Sequence, residues 1–412
     1  MSSPTENQIE GNSTILDRQE TTCCIVGGGP AGAVLSLLLA RKGVKVTLLE
    51  THRDFDRDFR GDTLHPSVME IMDELGLAEK LLELPHTKLR QGVFQTNTQA
   101  LFGVDFNRLK TKFPYITLMP QSRFLEFITQ EAAKYPTFQL ILGANAQELI
   151  EENGAIQGVR YKGQGGLHEV RALLTIAADG RNSKLRQLAD LHPVSTSTPM
   201  DVLWFRLPRH PDEPTGVMGR IGKGHMMAML DRTEMWQIAY LIPKGGYQEL
   251  RSAGLEALCQ SVVETVPELS DRVQLLHEWS QIAFLAVESS CLKQWYRPGL
   301  LLIGDAAHVM SPVGGVGINY AIQDAVVAGN ILTEPLKQGK VELHHLAKIQ
   351  RQRWLPTRII QAFQGLVQSR IISQALNPDT PFTPPALLQL PILKDLPARI
   401  IGLGIWRVHV ET

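Results

Sequence analysis

Two textures alternate along this chain of 412 residues. In the first, short apolar runs end in glycine and give way to a helical period. TCCIV (22–26) is a near-continuous apolar run closed by three glycines, the pattern of a strand buried on both faces. PAGAVLSLLLARK (30–42) has proline in its first turn and Gly43 just past its end, which predicts a helix. VKVTLLE (44–50) is the next strand. Strand, helix and strand within about thirty residues make a βαβ crossover. Amphipathic periods predict helices over 66–84 and 121–134, and VRALLTIAA (170–178) is a further buried strand stopped by Asp179-Gly180.

The second texture runs from about 200 to 288. VLWFRLP (202–208), VMGRIG (217–222), HMMAMLD (225–231) and MWQIAYLIP (235–243) alternate like sheet strands, followed by a helix near 249–265 and a strand near 280–288. The first texture returns at Gly299. After 341 a long helical stretch leads to a proline-rich tail that closes with LPARIIGLGI (396–405). The predicted organisation is a disordered tail over 1–18, an α/β domain split between 19–190 and 290–340, a mostly antiparallel substrate-binding sheet domain over 191–289, and a C-terminal helical segment over 341–412.

Composition narrows the classes without selecting one. The chain is 43% hydrophobic and 20% charged, as in ordinary globular proteins. Its 41 basic and 42 acidic residues give a net charge of −1, so no global field draws nucleic acid or an anionic surface, and no basic run carries interleaved aromatics. Cys23, Cys24, Cys259 and Cys291 have neither zinc-site spacing nor a disulfide framework. No metal is expected, and a reducing, cytoplasmic setting fits. The polar first twenty residues do not read as a signal peptide, and no apolar run reaches the length of a membrane span. Peripheral membrane contact is not favoured, and a monomer or homodimer is expected.

The chemistry lies in two glycine-rich turns. Gly27-x-Gly29-x-x-Gly32 follows a strand, opens a helix through Pro30 and Ala31, and has Glu50 at the end of the next strand. That context predicts dinucleotide binding: the glycines let backbone N–H groups approach a pyrophosphate at the positive helix end, and Glu50 accepts from ribose hydroxyls. The motif does not separate FAD from NAD. The second turn, GDAAHVMSPVGGVGIN (304–319), also joins a strand to a helix, but without a βαβ unit of its own.

Three motifs in order resemble the single-component, class A flavoprotein monooxygenases of the para-hydroxybenzoate hydroxylase type: GGGPAG with Glu50, ADGRNSKLR (178–186), and GDAAHVMSPVGGVGIN. The resemblance implies an α/β fold, a Rossmann-like FAD-binding domain interrupted by a mostly antiparallel β-sheet substrate domain, with C-terminal helices. It implies FAD as cofactor, NADPH or NADH as transient reductant, and insertion of one oxygen of O2 into an electron-rich small molecule through a flavin C4a-hydroperoxide. It places Asp179 near FAD and the nicotinamide. It also places Gly304, Asp305, Pro312, Gly315, Gly317, Ile318 and Asn319 at the flavin end, and Arg60, Gln121 and Arg123 as further FAD contacts. His308 reads as structural and Asp324 as a helix anchor.

One face of the middle sheet should wall the substrate, and Trp204, Arg220, Met227, Met229, Trp236 and Tyr240 are the candidates; no catalytic base is nominated. The many methionines point to a broad apolar pocket, and the expected substrate is electron-rich, aromatic or polyketide-like and fairly apolar. Three alternatives stand beside this reading. One is a quinone-biosynthesis hydroxylase or prenyl-chain reductase acting on a lipid-like substrate. Another is a halogenase, for which MWQIAYLIP supplies only part of the WxWxIP signature. The last is a non-catalytic binding protein on a flavoprotein fold.

Overall fold

A computed structural model describes residues 15–56, 63–96, 100–222, 224–379, 382–383 and 395–411. Two sheets carry the architecture. In the first, strands Leu300–Leu302, Gly166–Ala177, Ile15–Val26, Val46–Glu50 and Phe138–Leu142 lie side by side in that order, all parallel. Parallel strands need both faces covered, which accounts for their near-continuous apolar runs. Helices Pro30–Arg41, Gln121–Ala132 and Gly317–Lys337 cover one face. The other face packs on Ala146, Ile156, Tyr161, Leu185 and Trp295.

The second sheet has the order Ala283–Leu285, Met200–Pro208, Met235–Pro243, Met226–Asp231, Val217–Ile221, Gln91–Gln95, Ala100–Asp105. Its pairings are antiparallel except where Val217–Ile221 meets Gln91–Gln95. Helix Leu255–Thr265 packs Leu258, Cys259 and Val262 against one face.

Several predicted boundaries shift, each for a local reason. The first strand begins at Ile15, inside the expected tail, because its polar start pairs with Leu167 to Arg171. The helix over 66–84 divides into Pro66–Glu74 and Ala78–Glu83 around Gly76, whose φ of +71° is left-handed. The helix near 249–265 likewise divides at Gly254, φ +94°. The paired strands Gln91–Gln95 and Ala100–Asp105 join the second sheet from the first half of the chain, so the sheet extends beyond 191–289. Without it Val217–Ile221 would be an open edge.

Candidate functional site: the flavin and substrate cleft

The two glycine turns, so distant in sequence, open onto one cleft of about 1880 Å³. At one end the strand Ile15–Val26 delivers Gly27, whose φ is +106°. A Cβ at Gly27 would stand 2.3 Å from the Ala178 carbonyl oxygen, and one at Gly32 would stand 2.0 Å from that of Gly27. Close packing therefore forces both glycines. Gly29 differs: nothing lies within 4 Å of where its Cβ would be, and it faces the cleft beside Pro30 and Ala31. That open ground at a helix N-terminus is where a pyrophosphate fits.

Glu50 is held ready beside it. Its Oε2 accepts from the Gly28 N–H at 2.8 Å, and its Oε1 accepts from the His52 N–H at 2.9 Å and lies 2.8 Å from His52 Nδ1. These contacts fix the carboxylate at the cleft wall, next to the glycine turn. Gln121 lines the cleft, whereas Arg123 is exposed on the same helix and does not. Arg60 lies outside the described residues.

The second turn forms the opposite jaw. Asp305, Pro312, Gly315, Gly317 and Ile318 line the cleft, and the 21-residue helix Gly317–Lys337 begins there. Two helix N-termini, each equivalent to roughly +0.5 charge, thus face one space. Gly304 and Asn319 do not line it. Gly304, with φ +59°, packs on Ala31 and Ala321 and joins the two jaws. Asn319 is turned inward: its Oδ1 accepts from His65 N–H at 2.9 Å and its Nδ2 donates to the Gly315 carbonyl at 3.2 Å. It fixes the loop instead of reaching into the cleft.

Asp179 lines the cleft, but its carboxylate accepts from Ser183 Oγ at 2.5 Å and Leu185 N–H at 3.1 Å, tying down the short helix Lys184–Leu188. Burial raises its pKa, and these donors offset part of that. Arg186, also buried, donates to the carbonyls of Ala306 and Arg181 and so links the middle motif to the last one.

Behind the second turn lies a polar cluster that joins the expected anchor Asp324 and the structural His308 to Arg353, far along the chain. Asp324 accepts from Gly304 N–H at 3.0 Å and Arg353 Nε at 2.7 Å, with His308 Nε2 at 2.6 Å. Burial alone would raise the Asp324 pKa; His308 and Arg353 outweigh it and hold the carboxyl below its usual range. His308 therefore serves this anchor. On the long helix Leu343–Val367, Gln361 Nε2 donates to the Ser290 and Val309 carbonyls, and Gln364 Nε2 to those of Ser311 and Val313. In the sequence they show only as two glutamines about one helical turn apart.

The far wall corrects the sequence reading. Met200, Val202, Trp204, Met226, Ala228 and Leu241 face the cleft. Met227, Met229, Trp236 and Tyr240 are buried on the opposite face, against helix Leu255–Thr265. Trp236 Nε1 donates to Glu213 at 2.7 Å, and Tyr240 bonds His225 and Ser261 there. Arg220, also on that side, pairs with Glu268. The register explains the error: Trp204 pairs with Ala239, while Met227 pairs with Tyr240, so Trp204 lies on the face opposite the other five candidates.

The residues fit FAD in length and in chemistry. A matching comparison comes from a family model described as FAD binding domain, which covers residues 20–360. The chain belongs to this family. Among curated proteins it is 33% identical over 361 residues to 6-methylpretetramide 4-monooxygenase of Streptomyces rimosus, covering 86% of this chain and 85% of that one. Among solved structures, Pseudomonas aeruginosa PqsL in complex with 2-aminobenzoylacetate superimposes with a TM-score of 0.75 at 19% identity, covering 88% and 98% of the two chains. OxyS anhydrotetracycline hydroxylase of Streptomyces rimosus gives 0.73 at 22% identity, covering 93% and 76%. These structures share the fold. This member of the family is a class A, FAD-dependent monooxygenase that consumes NAD(P)H and O2. Among its described residues, no helix is long and apolar enough to cross a membrane.

Proposed function

We propose that this monooxygenase hydroxylates an extended, largely apolar aromatic or polyketide-like molecule lying between the second sheet and the Pro312–Gly317 turn. The observation that carries this reading is the size and lining of the cleft. At about 1880 Å³ it exceeds the ~300–1,000 Å³ of an ordinary small-ligand pocket. It must hold a dinucleotide and still has a long apolar wall from Met200 to Trp204. The name of the 33% identical relative, a 6-methylpretetramide monooxygenase, agrees with this class.

FAD, when bound, supplies hydride acceptance from NAD(P)H and oxygen activation. The chain's own contribution is placement. Gly27 to Gly32 and Glu50 would hold the adenine end. The helix opening at Gly317 would stabilise negative charge at the flavin end. Met200, Val202, Met226 and Leu241 would keep water from the reacting face and present the substrate ring to it.

Substrate-stimulated NAD(P)H oxidation, with product oxygen traced from 18O2, tests the proposal on single-ring phenols, fused multi-ring phenols and an isoprenoid-bearing phenol. The fused rings should show roughly tenfold or greater kcat/KM, the scale set by extra apolar groups in a fitted pocket. Equal or better turnover of the single rings would refute it. Preference for the isoprenoid would shift the assignment to the lipid-like alternative.

A further inference from the structure

We infer that Gln237 and Arg232 form a recognition subsite for an acceptor oxygen, a phenolate or enolate above all, at the end of the substrate remote from the flavin. The inference rests on the function proposed above and adds a polar end group to its substrate class.

Residues 237, 239 and 241 of strand Met235–Pro243 face the cleft. Leu241 and Ala239 are what an apolar wall calls for; an amide is not, because burying one without partners is costly. Gln237 is 3% exposed. Its Oε1 accepts from Arg232 Nε at 3.0 Å. Arginine only donates, so the amide oxygen must face it and the NH2 group must face the other way. Among the described residues none accepts from that NH2, and both side chains line the cleft.

The outward NH2 of Gln237, polarised by the guanidinium bound to its oxygen, selects an oxygen that accepts, and favours one carrying negative charge. The distance is informative too. Leu241 belongs to the cluster that packs on Val313 of the flavin turn. Four residues of strand separate it from Gln237, roughly 13 Å at a rise of about 3.3 Å. A ligand spanning from the flavin face to this subsite is several fused rings long.

The test uses the full-length, FAD-loaded protein and two isosteric probes, 2-hydroxyanthraquinone and 2-methylanthraquinone, with binding read from perturbation of the flavin absorbance. Wild type should favour the hydroxy probe by roughly tenfold or more, the scale of one charge-assisted hydrogen bond. Gln237→Leu should bring the ratio near one while FAD content and affinity for the methyl probe stay unchanged. Gln237→Glu, which sets a carboxylate against an anionic oxygen, should weaken the hydroxy probe alone. A wild-type ratio near one, or a ratio that survives Gln237→Leu, overturns the subsite and leaves the proposed function standing. Binding of neither probe by wild type overturns both.

Discussion

Asp324 shows how much one side chain can organise. It is fully buried and serves Gly304, His308 and Arg353 together, so its loss would strand a guanidinium in the core. Asp324→Asn should lower the unfolding free energy by about 3–5 kcal/mol, the usual cost of breaking a buried ion pair from one side. Urea denaturation checks this, and flavin should leave the variant at lower denaturant than wild type. His65 makes a pH-dependent case. Its Nδ1 lies 2.7 Å from the Ile401 carbonyl, and burial depresses its pKa from 6.5 to about 4. The unfolded chain takes up the proton first. The stabilisation is therefore complete above pH ~6.5 and falls as pH drops toward ~4, by up to ~3 kcal/mol. Stability measured across that window should fall less in His65→Gln than in wild type; parallel curves would refute the assignment.

At the level of elements, Gly29 and Gly32 make a sharp contrast. A side chain at Gly32 collides with the Gly27 carbonyl, whereas one at Gly29 meets open space. Gly29→Leu should fold with near-native far-UV circular dichroism yet retain little FAD, while Gly32→Leu should lose fold and flavin together. Flavin absorbance per folded protein separates the two. The turn was legible in the sequence because its constraints are local: a strand, three glycines, a helix and an acid in fixed order. The same holds for the second turn through Gly317. What escaped was fixed by partners far along the chain. The resemblance places Asn319 at the flavin end, but its side chain is held by His65, 254 positions away. Strand alternation correctly placed Trp236 and Tyr240 on one face of their strand. It could not reveal that helix Leu255–Thr265 covers that face, which leaves the smaller Ala239 and Leu241 to line the cleft.

Across the whole molecule, the four cysteines report on packing. All are free and buried, and burial pushes the Cys24 thiol up to about 12 and the Cys291 thiol to about 11, with Cys23 raised well above its ordinary value. Native protein at pH 8 should leave Ellman's reagent almost unreacted, whereas addition of guanidinium should release four thiols. Rapid reaction of the native form would mean the strand Ile15–Val26 opens readily. That strand has another consequence, in time instead of space. Val26 pairs with Ala177, about 150 residues further on, so at a synthesis rate of ~5–20 residues per second the strand waits roughly 8–30 s for its central neighbour. Leu300–Leu302, which borders Gly166–Ala177 and leads into the flavin turn, arrives later still. The nascent chain therefore carries an apolar strand with one open side, first Ile15–Val26 and then Gly166–Ala177, a natural binding target for a holding chaperone, and the second glycine turn leaves the ribosome only after both.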